Sequence, residues 1–190
     1  MSIPESLRLT VLLLALCVFP VSLEGQAADG GSFQILLEGR PAGSEEFTIR
    51  QTGSGSTMEI AAAGQVEMRL QTGTLTLTSR LNARGLEASP VTYRVDVGGD
   101  SPRRIAGTVA TGRFSARVGT PSGERLSEFV ASNGAIILDE GIAHHYYFLA
   151  QRLRNGRVPV IIPRENRQVM ATVADGGAER VEVAGESANL

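Results

Sequence analysis

Val91-Thr92-Tyr93-Arg94-Val95-Asp96-Val97, followed by Gly98-Gly99, alternates apolar and polar side chains without a break. Successive side chains on a strand point to opposite faces, so Val91, Tyr93, Val95 and Val97 share one face and Thr92, Arg94 and Asp96 the other. This is the pattern of a half-buried antiparallel strand, with one face on a core and one in water. The same period recurs in both directions. Downstream, residues 105–109 and 114–118 pair across Thr111-Gly112, and 127–130 and 135–138 flank Asn133-Gly134, a dipeptide that favours hairpins because both residues tolerate positive φ. Upstream, Val66, Met68 and Leu70 precede Leu75, Leu77 and Leu81 across Thr72-Gly73, residues 58–62 follow a Gly-Ser turn, and Phe33, Ile35 and Leu37 pair with Phe47 and Ile49 around 39–43. Short strands separated by polar turns predict a mainly β fold: an antiparallel meander forming an open or half barrel.

One segment breaks the period. Ile142, Tyr146, Leu149 and Leu153 recur at helical spacing, with Asp139 as N-cap and Asn155-Gly156 as stop, so a helix is expected over 139–155, packed on the sheet. Its second face would carry His144, Tyr147, Phe148 and Gln151. After it, residues 158–162 form a strand, and 169–173 and 180–183 are expected to form a hairpin.

The N-terminus reads as an address. Arg8, the apolar run 9–16 and the small residues Gly25 and Ala27 have the order of a secretory signal peptide over 1–27, leaving a single β-rich domain over 28–190. The apolar stretch is interrupted by Pro20 and falls short of the roughly 20 residues needed to span a bilayer, so no transmembrane segment is expected after processing. A periplasmic or secreted product of the general secretion route follows.

Composition removes whole chemistries. Cys17, the only cysteine, leaves with the signal, which excludes disulfides, thiolate nucleophiles and cysteine-held metals from the mature domain. All 18 basic residues are Arg, against 20 acidic ones, so there is no lysine for Schiff-base chemistry and no basic field for nucleic acid. Arg50, Arg69, Arg80, Arg94 and Arg117 occupy polar strand phases, read more plainly as a solvated face than as an anion-binding stripe. Arg164, Glu165 and Arg167 share a loop, as an ion-pair network or a binding rim. Gly53-Ser54-Gly55-Ser56 places glycine where a nucleophile elbow needs serine. Glu140 and His144 stand four apart, a spacing that lets two side chains share an ion, with His145 adjacent. Two ligands do not complete a site, and a surface pair is the plainer reading. No cofactor and no catalytic residue is expected.

The early hairpin carrying Glu38-Gly39-Arg40-Pro41-Ala42-Gly43 before Phe47, the long meander and the single late helix resemble bacterial envelope domains of unknown function, in shape similar to the open β-barrel of periplasmic lipoprotein carriers. That resemblance implies a concave apolar face able to hold an acyl chain, with a helix partly plugging it. The expected function is a noncatalytic periplasmic module binding a lipid, another apolar molecule or a lipid-modified partner, with Tyr93, Phe114, Tyr147 and Phe148 lining or gating the space. An envelope assembly or scaffolding protein is the alternative, and a metal-assisted hydrolase around Glu140 and His144 the third.

Overall fold

The computed structural model describes residues 26–152, 156–174, 177, 180–183 and 186–189. All but the last two residues of the expected signal peptide, and the end of the expected helix at 153–155, lie outside that set. Strands β1 (Gln26–Leu37), β2 (Arg40–Thr52), β3 (Glu59–Leu70), β4 (Gly73–Arg84), β5 (Ser89–Gly98), β6 (Arg103–Ala110), β7 (Arg113–Thr120) and β8 (Gly123–Val130) form one 8-stranded sheet in chain order. Every neighbouring pair is antiparallel. β1 and β8 are its edges, so the meander is open and barrel-like, as the alternation predicts.

Alternation fixes which face is buried. Ile49, Ala62, Leu81, Tyr93, Gly107, Ala116 and Ser127 follow one another across β2 to β8 in a single row on the inner face. Two glycines on this face admit rings. A Cβ on Gly107 would come within 2.7 Å of Phe114 Cε2, and one on Gly64 within 2.6 Å of His144 Cε1.

A crossing segment covers the inner face. After β8 the chain passes β9 (Ile136–Ile137), a 3₁₀ turn over Ala143–His145, helix α1 (Tyr146–Ala150), β10 (Gly156–Ile162), a second 3₁₀ turn over Pro163–Glu165 and β11 (Arg167–Val173). It places Ile136, Ile137, Ile142, Phe148 and Ile161 among the most buried side chains. β10 pairs with β9 in parallel and with β11 antiparallel, and β12 (Arg180–Val183) pairs with β13 (Glu186–Asn189). No helix among the described residues is long and apolar enough to cross a membrane.

Several local expectations change. Residues 59–62 and 66–70 belong to one strand, β3. Asn133-Gly134 does not join a hairpin, because β8 pairs back onto β7 and the chain then crosses the inner face to reach β9. Residues 180–183 pair with 186–189 and not with 169–173. A register shift at Asn82/Ala83 makes Val91 a bulge residue and buries Pro90 in its place. The described helix has 5 residues, starting at Tyr146, not Asp139. Gly141 at φ +71 interrupts helical backbone, and the Asp139 carboxylate is engaged elsewhere.

Candidate functional site

Glu45 lies on the inner phase of β2, between residues that face the core, and is fully buried. An ionised carboxylate there needs partners, and the crossing segment supplies three. Ala143 N–H donates to Oε2 at 2.6 Å, His144 N–H to Oε1 at 3.3 Å, and His144 Nδ1 lies 2.5 Å from Oε1. The His144 ring occupies the space above Gly64, parallel to Phe47 at 6.0 Å and edge-on to His145 at 4.8 Å. An imidazole oriented by a carboxylate is also the arrangement of a general base. Here the side chain has 0% exposure, so no substrate meets it in this conformation.

His145 anchors the next part of the loop. Its Nδ1 accepts from Asp139 N–H at 3.1 Å, which places the proton of the neutral ring on Nε2. Burial, His144 and Arg164 together push His145 well below the usual imidazole value. Asp139, also buried, accepts from Tyr93 O–H at 2.5 Å, and Arg164 Nε lies 3.0 Å from the same oxygen as an ion pair lacking hydrogen-bond alignment. Burial first, then the Asp139 charge and the hydrogen bond to it, raise the Tyr93 phenol well above its usual value. The network ties β2, β5 and the turn at 163–165 to the loop that covers the sheet.

Tyr93, Phe114 and Phe148 are 2%, 0% and 1% exposed, and Tyr147 is partly buried. Phe114 packs on Phe129 and Tyr147 stands edge-on to Phe148, while Tyr93 stands edge-on to His145. Tyr93, Phe114 and Phe148 lie in the core, and Tyr147 packs against its edge, partly open to solvent. Glu140 is exposed while His144 is sealed against Glu45, and among the described residues no three His, Cys, Asp or Glu side chains form a metal-binding group. The arginine stripe lies outside, with Arg94 paired to Asp96 at 3.1 Å and Arg117 to Glu124 at 2.8 Å. Arg167 pairs with Glu165, while Arg164 turns inward.

The sequence reading passed over Glu45, Arg103 and an apolar strip at one end of the inner face. Ile35, Gly43, Met68 and Leu75 stand in register across β1 to β4, and Phe33, Glu45, Val66, Leu77, Val97 and Arg103 in the next row. Ile35, Met68 and Leu75 are partly buried, while Phe33 and Leu70 are 41% and 37% exposed. A Cβ on Gly141 would lie 3.8 Å from Met68 Cε and 3.9 Å from Leu77 Cδ1, so the covering loop rests against the strip. A cavity of about 270 Å³ opens beside it, lined in part by Leu70, Leu75, Val97, Asp100, Arg103 and Arg164. The larger outer-face hollow, about 620 Å³, is lined instead by polar side chains such as Glu46, Gln65, Thr78 and Arg80.

No family model matches this chain, no curated protein matches its sequence, and no solved structure matches its fold.

Proposed function

We propose that the protein is a noncatalytic, exported binding module that takes an acyl chain, of a lipid or a lipid-modified partner, on the inner-face strip formed by Phe33, Ile35, Met68, Leu70 and Leu75. The observation that carries this reading is a run of apolar side chains in register on the sheet's inner face that the crossing segment leaves partly open. Contiguous exposed apolar surface on a folded domain commonly marks a binding site. Export rests on Arg8, the apolar run 9–16 and the small residues Gly25 and Ala27.

The test is titration with an uncharged fluorescent acyl ester. Leu70→Asp should weaken binding at least tenfold with stability nearly unchanged, because residue 70 is at the surface. Leu126→Asp, at a position 77% exposed on the outer face of β8, serves as the control and should bind as the parent does. Equal affinity in all three proteins would remove the strip as the binding site. An envelope assembly role is favoured by one observation, the 62% exposed Tyr146 on α1. It becomes the preferred reading if no acyl probe binds.

A further inference from the structure

Arg103 occupies the inner phase of β6, level with Val97 and Leu77, where the neighbouring strands place apolar side chains. It is partly buried, and among the described residues its side chain makes no hydrogen bond or ion pair. Its guanidinium stays open to water and so to an incoming carboxylate or phosphate, whose geometry the planar fork fits. The nearby acids do not fill that role. Asp139 is held by Tyr93 and Arg164, and Asp100, at the rim of the same cavity, is solvent-exposed with its carboxylate beside Gly73. Leu70 and Leu75 belong both to this cavity and to the apolar strip, so a cationic pocket and an apolar path are continuous.

Resting on the acyl-chain reading above, we infer that the cavity between β4, β5, β6 and the 163–165 turn is a headgroup site, in which Arg103 binds the phosphate or carboxylate of an anionic amphiphile whose chain lies along the Leu70–Leu75 strip. Arg164 closes the wall of the cavity and is kept in place by Asp139 and by its bond to the Glu140 carbonyl. The ligand class is therefore a single-chain or chain-exposing anionic lipid, not a neutral one. The Asp100 carboxylate at the rim repels an incoming anion and lowers the affinity for it.

Calorimetric titration below the micelle-forming concentrations would compare dodecyl phosphate, dodecyl maltoside and inorganic phosphate on the same protein. Dodecyl phosphate should bind about tenfold tighter than the maltoside at low ionic strength, with the margin shrinking as salt is added. Arg103→Gln should erase that margin and leave the maltoside affinity unchanged, and Asp100→Asn should widen it. Equal affinities for the two amphiphiles, with both binding, would overturn the headgroup site and leave the acyl strip standing. Failure of both to bind would overturn the strip as well. Inorganic phosphate binding as tightly as dodecyl phosphate would show a free-anion site and overturn the amphiphile. If Arg103→Gln fails to fold, the salt dependence of the margin in the parent protein decides the matter, since a margin indifferent to salt excludes a charge contact.

Discussion

Gly64 and Glu45 work as a pair. The glycine leaves room on the sheet for an imidazole, and the carboxylate one row away holds that imidazole and two backbone N–H groups. Gly64→Ala would set a methyl group 2.6 Å from His144 Cε1 and should cost about 1–3 kcal/mol through overpacking. The same substitution in a His144→Ala background should cost much less. A double-mutant cycle measured by urea denaturation checks this, and an equal penalty in both backgrounds would place the clash elsewhere. Part of this arrangement was legible: Glu45, Phe47 and Ile49 alternate in one phase, and a carboxylate in an apolar phase signals a buried partner. The partner itself was not, because 99 residues separate Glu45 from His144, whereas Glu140 stood nearby at a helical spacing that the folded loop does not adopt.

At the scale of elements, the covering segment departs most from its sequence pattern. Ile142, Tyr146, Leu149 and Leu153 recur at the right spacing for a helix face, but helical backbone starts only at Tyr146. Tertiary partners overrode the local period: Asp139 bonds to Tyr93 in place of capping, and Gly141 turns the chain so that the loop reaches Glu45. The face that packs is rotated as a result. Phe148 is 1% exposed and Tyr146 is 62% exposed, the reverse of the helical-wheel expectation. Phe148→Ser should therefore cost about 3–5 kcal/mol, as large aromatic truncations in cores do, while Tyr146→Ser should stay within roughly 0.5 kcal/mol of the parent. Denaturant midpoints rank the two. If Tyr146→Ser proved the more damaging, the packed face would be the one the wheel predicts.

For the whole molecule, the meander was readable because hairpins are local: period-two segments and Gly-bearing turns fix neighbouring pairs without long-range information. The parallel pairing of β9 with β10 and the closure of the inner face were not, since both depend on contacts between distant segments. Those distant contacts also give the fold its pH limits. His145 is held neutral in the fold below the 6.5 at which a free imidazole titrates, so on acidification the unfolded chain takes up a proton that the native loop refuses. The stability this group contributes is whole above pH 6.5 and is lost as the pH falls toward its depressed value. Tyr93 acts in the opposite sense. Its phenol stays protonated in the fold above 10.0, so its contribution is whole below that pH and is lost as the unfolded chain ionises first. For these two groups, urea-unfolding free energy should be level between 6.5 and 10.0 and decline on both sides, by at most about 1.4 kcal/mol per pH unit for each proton. The alkaline limb is well isolated because the chain has no lysine and its single cysteine, Cys17, lies within the expected signal peptide. Tyr93→Phe should flatten that limb and leave the acid one intact, whereas His145→Gln should flatten the decline below pH 6.5. An alkaline limb that persists unchanged in Tyr93→Phe would remove the Tyr93–Asp139 bond as its source.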